Sequence, residues 1–502
     1  MMGKSVLAYL PVNLANILAS FGTIMILTRL LTAAEFGIYA LAVITIQFVH
    51  MGSFTWIEAA IARFLPRAER DGNANCFLKS LFITAMILGV IMLFVILVTL
   101  HLLPLTNTMK IILAFALGST CLQVIFNMCI EAHKASYRIK RYSLIYTTHT
   151  LLVFSLGILL IVCTPLRAEA PFIGVILANI FILCVELPFI WKYTKGGTFV
   201  PHKVKNAFAY GMPICVSLLL SYTLSSADMY LISGFLGAEP AGQYNAGYNL
   251  ANRTVDILFI WLGMAITPMI ITAQENNGQE KSRQMMSDYA GALLWITLPA
   301  ATGIALVAEP AGIILGESVR AEAVKIMPWI AFAGVLNGMI SYYAHRAFML
   351  SEKTGMFVWA LVPPVILNLA LNAIWIPKYG LLGAVYATLI AYGLGLILTL
   401  AIGRRYYPLP LPFKTLGKIC FACLLMAGSV LIVPISPALP DILEILVKAV
   451  IGGTVYGVFS LVLNIANCRT LVADILQKFS KSQDGDMDSA QNAETPVLEA
   501  SE

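Results

Sequence analysis

Apolar runs of about twenty residues recur along this chain, separated by short polar breaks, and a run of that length has few folds open to it. As a helix rising 1.5 Å per residue, it reaches across a hydrocarbon layer about 30 Å thick. Inside lipid a segment must satisfy its own backbone hydrogen bonds, and these runs lack the alternation of barrel strands. Of 502 residues, 59% are hydrophobic and 12% charged, with a mean hydropathy of +0.84. A chain this apolar has too little interior to hide its surface from water, so its solvent is lipid. The expected fold is an all-α polytopic membrane protein.

Fourteen spans are expected. Residues 9–30, 36–60, 77–100, 111–130, 144–164 and 171–191 form a first set of six. Residues 207–235, 242–271, 290–307, 323–350, 357–376 and 381–402 form a second. Two more follow at 419–433 and 443–464. The first span is too long for the apolar region of a cleaved signal peptide, and only Lys4 precedes it.

The two sets of six repeat each other. Leu31-Thr32-Ala33-Ala34-Glu35-Phe36-Gly37-Ile38-Tyr39 shares Leu, Ala, Gly and Tyr in register with Leu236-Gly237-Ala238-Glu239-Pro240-Ala241-Gly242-Gln243-Tyr244. Ala132-His133-Lys134-Ala135 returns as Ala344-His345-Arg346-Ala347. Gly174-Val175-Ile176-Leu177-Ala178 returns as Gly383-Ala384-Val385-Tyr386-Ala387. The three matches keep their order at an offset of about 205 to 212 residues. Internal repeats in membrane chains usually mark two halves that move about a central site, which points to a transporter. Six spans per half is an even number, so the repeat is parallel, its axis along the membrane normal. The expected organisation is an N-terminal six-helix lobe over 1–200, a C-terminal six-helix lobe over 201–406, two extra spans within 407–468, and a tail over 469–502. Asp484, Asp486, Asp488, Glu494, Glu499 and Glu502 sit in that tail among few bulky residues, a composition expected to stay disordered.

Basic residues set the orientation. Loops after even-numbered spans carry Arg63, Arg67 and Arg70, then Lys134, Arg138 and Arg141, and later Lys281, Arg283, Arg404 and Arg405. The opposite loops hold little beyond Lys110, Arg167, Arg320, Lys325 and Lys378. By the positive-inside rule both termini are expected to be cytoplasmic. The net charge of +6 follows from this topology and does not point to nucleic acid. Met2-Gly3-Lys4-Ser5 imitates the end of a phosphate-binding loop, but the upstream glycine and strand are missing. No other nucleotide motif appears and the six histidines lack metal-ligand spacing, so neither a cofactor nor enzyme chemistry is expected. Cys420 and Cys423 form a CxxC in an apolar span and read as packing residues.

Polar stripes within the spans are the site candidates. Asn245, Asn249, Asn252, Arg253 and Asp256 fall at i, i+4, i+7, i+8 and i+11 of the eighth span, one helical face. Arg253 lies about 16 Å along that helix, near mid-membrane, where an arginine costs about 2.5–3.5 kcal/mol unless water or a partner meets it. An i+3 pair with Asp256 is the plain alternative to a wet cavity. The seventh span carries Ser217, Ser221, Ser225 and Asp228; the first carries Asn13, Asn16, Ser20 and Thr23. Under the repeat, Asn16 falls on Ser221, Ser20 on Ser225 and Thr23 on Asp228, so both helices are expected to face one lumen. Small hydroxyl residues also serve ordinary helix packing. Gln47, His50, Glu58 and Glu186 are weaker candidates, Glu58 being expected to reach out to the interface.

The Leu-x-Ala-x-x-x-Gly-x-Tyr turn of each half, Ser226-Ala227-Asp228-Met229-Tyr230 and Gly380-Leu381-Leu382-Gly383-Ala384-Val385-Tyr386-Ala387-Thr388 together resemble the polysaccharide flippase family. These are the Wzx-like members of the multidrug/oligosaccharidyl-lipid/polysaccharide exporter superfamily, and the resemblance spans the chain to about residue 465. Met229 stands where the family often has a basic residue. The resemblance implies two six-helix lobes around a V-shaped cavity, in a bacterial inner membrane. It implies translocation of an undecaprenyl-pyrophosphate-linked oligosaccharide for surface polysaccharide, such as O-antigen or exopolysaccharide. A pyrophosphate needs a cation in the lumen, and Arg253 is the best placed. Asn245, Asn249, Asn252, Asn16, Ser217, Ser221 and Ser225 are the candidate partners of sugar hydroxyls. Asp228 and Asp256 are the candidate ion-coupling carboxylates, for H+ or Na+. A polysaccharide polymerase or export complex is the implied protein partner. The rivals are an ion-coupled multidrug antiporter of the same superfamily, a peptidoglycan-precursor flippase, a membrane glycosyl polymerase or ligase, and a non-transporting export subunit. Short external loops argue against the polymerase or ligase, and Arg253 with the extra pair of spans against the antiporter.

Overall fold

A computed structural model describes residues 2–470 apart from 103, 105, 354 and 434–438. The acidic tail expected beyond 470 therefore lies outside the described residues. Helices carry the described chain, and no strand occurs among the described residues. The first seven are α1 (Met2–Leu30), α2 (Ala33–Ser53), α3 (Thr55–Arg70), α4 (Ala74–Leu102), α5 (Asn107–Ala135), α6 (Ile139–Cys163) and α7 (Ala170–Thr194). Then come α8 (Pro201–Ser226), α9 (Asp228–Leu236), α10 (Ala238–Ala311), α11 (Glu317–Gly338) and, after a π-helical turn over Met339–Ala344, α12 (Arg346–Leu350). The last four are α13 (Met356–Tyr379), α14 (Leu381–Gly403), α15 (Phe413–Ile432) and α16 (Asp441–Val462).

Thirteen segments among the described residues are long and apolar enough to cross a membrane, matching thirteen of the fourteen expected spans. The other expected span, 242–271, lies inside α10 and carries the polar stripe. The protein is a multi-pass membrane protein. On α4 the residues Met86, Val90, Phe94 and Leu97 stand exposed on one face, as lipid rather than protein would require of them.

Three expected boundaries differ. The second expected span is two helices, because Gly52 and Ser53 weaken the chain there and Trp56 Nε1 donates to the Ser53 carbonyl at 2.9 Å. Helix α3 then runs on to Arg70, so Arg63, Arg67 and Arg70 are helical rather than in a loop. The seventh breaks at Ala227, separating α8 from α9. The eighth and ninth do not break at all: residues 272–289 are rich in Gln, Glu, Lys, Arg and Met, contain no proline, and stay helical within α10.

Local chemistry explains the turn that the repeat shares. In the first copy Thr32 caps α2 in a capping box, its backbone N–H donating to Glu35 Oε2 at 2.9 Å and its hydroxyl accepting from Glu35 N at 3.3 Å. In the second copy Gly237 occupies the same place at φ +100°, a conformation that a side chain would strain.

The described chain divides into two compact units. One holds Met1–Ile257 and Ala308–Leu409; the other holds Leu258–Val307 and Pro410–Glu502. In the first, α6 packs along α7, α13 along α14, α1 on α6 and α3 on α8. Its interior includes Phe54, Ile57, Leu65, Leu78 and Met128, all fully buried. In the second, α15 packs on α16, with Ile419, Ala422 and Ile465 buried beside Trp295. Tyr456 there donates to the Trp295 carbonyl at 2.7 Å, and Trp295 Nε1 to Ser460 Oγ at 3.1 Å.

Candidate transport cavity

The duplicated glycines meet. A Cβ on Gly37 would lie 2.9 Å from Gly242 N, and one on Gly242 would lie 2.9 Å from Gly37 N. Each would come nearer still to a backbone carbonyl of the opposite copy, Ala238 O and Ala33 O respectively. Helices α2 and α10 thus cross backbone to backbone, a contact that lipid-embedded helices make through small residues. Phe36 and Tyr39 flank this crossing on α2, and Tyr244 and Asn245 follow it on α10; all four face one cavity of about 540 Å³.

The polar stripe of α10 lines that cavity. Asn245, Asn249, Asn252, Arg253 and Asp256 all face it, as the 3.6-residue period requires. Asn249 Nδ2 donates to the Asn245 carbonyl at 3.0 Å, and the Asn252 amide oxygen rests against Gly334. Asp256 Oδ1 accepts from Tyr342 at 3.3 Å. Arg253 is exposed and makes no hydrogen bond, and no ion pair within 4 Å, with a described residue; Asp256 acts on it electrostatically without direct contact. An exposed guanidinium within a membrane-spanning protein needs such a polar cavity around it.

The opposite wall is less as the sequence reads. Ser225 and Asp228 line the cavity, together with Ser20 and Thr23 of α1. Asp228 is 2% exposed; one oxygen accepts from the Tyr244 hydroxyl and the other from Met229 N at 2.9 Å. Ser225 spends its hydroxyl on the Tyr222 carbonyl at 3.0 Å. Ser217, Ser221 and Asn16 do not reach this lining, and Ser217 donates to the Pro213 carbonyl at 3.0 Å. The cavity meets α1 between Ala19 and Ile24 and α8 only from Tyr222 on, so Asn16, Ser217 and Ser221, one or two turns earlier on the same faces, fall short of it.

Several residues escape the sequence reading. Tyr39, Tyr222, Tyr244 and Tyr248 bring hydroxyls or rings to the cavity, and Asn337 closes it from α11. Tyr39 and Tyr244 are the tyrosines of the duplicated motif, which was the available signal. Glu58 does not reach for the interface: its carboxylate lies 2.9 Å from His50 Nε2 and accepts from Asn127 at 3.0 Å. Glu186 is fully buried against His133 at 2.7 Å and Arg141 at 2.8 Å. A second cavity of about 460 Å³ lies among α1, α2, α5, α6 and α7, with Gln123, Asn127 and His149 on its wall. Ser119, Gln123 and Asn127 stand at i, i+4 and i+8, the same polar-stripe signal that marks α10.

The chain is similar in sequence to the probable low-salt glycan biosynthesis flippase Agl15 of Haloferax volcanii, 25% identical over 275 residues. That alignment covers 54% of this chain and 57% of the relative, so the chain spans a little over half the length of the curated protein it matches. In fold it is similar to the lipid II flippase MurJ in an inward closed conformation, with a TM-score of 0.73 at 17% identity, over 93% of this chain and 100% of that one. It is also similar to an inward-facing multidrug resistance MATE family transporter of the MOP superfamily, with a TM-score of 0.60 at 16% identity, over 78% and 94%. The family model described as "Polysaccharide biosynthesis protein" matches residues 2–274, more than half of the sequence, including both glycines of the crossing and the polar stripe of α10. The chain therefore belongs to the polysaccharide biosynthesis protein family.

Proposed function

We propose that this protein is a flippase of glycan biosynthesis, carrying an undecaprenyl-pyrophosphate-linked oligosaccharide from the cytoplasmic to the periplasmic leaflet of a bacterial inner membrane. The observation that carries the reading is Arg253: an exposed cation in no ion pair within 4 Å among the described residues, set in a polar cavity beside three asparagines. A guanidinium pairs with pyrophosphate oxygens in two-point fashion, and the amides of Asn245, Asn249 and Asn252 offer donors and acceptors to sugar hydroxyls. Membership of a polysaccharide biosynthesis family and the likeness to a glycan flippase support the substrate class.

In this reading the lobes 1–200 and 201–406 rock about the cavity, and separation of the Gly37–Gly242 crossing opens one of its ends. Asp228 and Asp256 serve as the ion-coupling carboxylates, since both are acids on the cavity wall with hydroxyl partners that hold them in place. The lipid tail stays in the bilayer, both termini face the cytoplasm, and a polymerase or export complex takes up the product.

The test is a deletion strain in which surface polysaccharide and the leaflet holding the lipid-linked precursor are assayed together. Loss of surface glycan with precursor trapped on the cytoplasmic side, reproduced by Arg253→Ala, supports the reading. Normal surface glycan with raised sensitivity to cationic drugs refutes it and favours a drug antiporter.

A further inference from the structure

Five helices build a single hydrogen-bonded chain behind the second cavity. His149 Nε2 lies 3.0 Å from Asn179 Oδ1, and Asn179 Nδ2 donates to Gln123 Oε1 at 3.0 Å. Gln123 Nε2 donates to Asn127 Oδ1 at 3.1 Å, and Asn127 Nδ2 donates to Glu58 Oε1 at 3.0 Å. Glu58 in turn holds His50 at 2.9 Å. The four links from His149 to Glu58 run donor to acceptor in one sense, so each bond polarises the next, and the Glu58 carboxylate accepts from His50 as well. The amides of Gln123 and Asn127 are thereby held in one orientation where they meet the cavity. Gln123 keeps a second N–H and each amide keeps a second carbonyl lone pair for a ligand, while Asn127 Nδ2 also lies 3.4 Å from His50 Nε2.

The rest of the lining has a definite chemistry. Rings of Tyr39, Phe126, Tyr146, Phe154 and Phe172 supply flat apolar faces, and the Phe126 ring is itself stacked on His149 at 3.9 Å between centroids. Gln47 and Thr150 also face the cavity and make no side-chain hydrogen bond with a described residue. Among the described residues no Lys, Arg, Asp or Glu lines it; Glu58 sits behind His50 and Asn127. A phosphate would find no ammonium or guanidinium here and an organic cation no facing carboxylate, while a hydrocarbon would strand the amides unpaired. The volume of about 460 Å³ lies within the range of small-molecule sites. Thr23, Tyr39 and Gln47 line this cavity and the arginine cavity alike, so one molecule can occupy both.

We propose that the cavity among α1, α2, α5, α6 and α7 is the subsite for an uncharged pyranose of the transported glycan, stacked on the aromatic wall and hydrogen-bonded by Gln123, Asn127, Gln47 and Thr150. This rests on the flippase reading for the identity of the whole substrate, but not for the chemistry of the subsite. Apolar ring faces receive the C–H face of a pyranose, and oriented amides pair with its hydroxyls. Glycans bearing a carboxylate on this sugar are excluded, because the site offers that charge no cation.

The labelling itself needs no transport. The full chain in lipid nanodiscs is photolabelled with diazirine derivatives of five methyl pyranosides (glucose, galactose, mannose, N-acetylglucosamine and N-acetylgalactosamine), and labelled peptides are mapped. The expected result is label on α5 or α6 from at least one sugar, displaced by the same unlabelled pyranoside but not by the corresponding uronate. Thr150→Val, which keeps shape and removes the hydroxyl, should weaken protection several-fold, and Phe154→Ala about tenfold or more. The proposal is overturned if none of the five labels these helices, if uronates protect equally, or if both variants label as the parent does in folded protein. Specific labelling in a protein whose Arg253→Ala variant still transports normally would keep this subsite and refute the pyrophosphate reading. Intact arginine-dependent transport with no labelling would refute the subsite alone.

Discussion

A single methyl group at the helix crossing should unsettle the conformation described above. In Gly37→Ala the new Cβ lies 2.9 Å from Gly242 N and closer to Ala238 O, whereas ordinary contact begins at about 3.4 Å. Both obstacles are backbone atoms and cannot rotate away, so α2 and α10 must part by more than the half ångström that the amide alone would ask, the carbonyl being nearer. Overpacking of this kind costs about 1–3 kcal/mol. A penalty of that size, present only while the crossing is closed, shifts the closed population about 5- to 150-fold. Gly118→Ala is the control, because nothing lies within 4 Å of its Cβ and alanine is the better helix former. The readout is the distribution of distances between spin labels at Ala34 and Glu239, in a background with the nine free native cysteines replaced. Gly37→Ala and Gly242→Ala should each add a longer-distance population, and the double variant should fall short of additivity because both relieve one contact. If Gly37→Ala gives the parent distribution and the thermal midpoint of Gly118→Ala, the crossing is not the tight seal argued here.

Three more outcomes are expected. Arg253→Lys should retain part of the flipping that Arg253→Ala loses, because charge survives while two-point geometry does not; equal loss in both would argue for shape over charge. Tyr244→Phe removes the donor to the buried Asp228 carboxylate and should cost about 1.5–3 kcal/mol of stability, with transport impaired in protein that still folds. Glu186→Gln breaks a buried cluster with His133 and Arg141 and should destabilise the protein by about 3–5 kcal/mol, read as a lowered thermal midpoint. An unchanged midpoint would show that the cluster is dispensable.

Helical class, span positions and the duplication were legible because they depend on local composition and on period, which neighbours in sequence carry among themselves. The stripe from Asn245 to Asp256 is of this kind: a spacing of 3.6 residues puts all five on one face wherever the helix lies, and all five line the cavity. Which turn of a helix meets a lumen is not local. Asn16, Ser217 and Ser221 share faces with Ser20 and Ser225, yet they fall outside the lining because the cavity begins only at Ala19 on α1 and at Tyr222 on α8. The break at Ala227 and the unbroken run through 272–289 likewise turn on how good helix formers balance against packing. The meeting of Gly37 with Gly242, and the chain from His149 through Asn127 to Glu58, join residues far apart in sequence, each ordinary on its own span. Only the tertiary structure decided those, because they come from backbone approach and hydrogen-bond direction between helices, quantities that no single span contains.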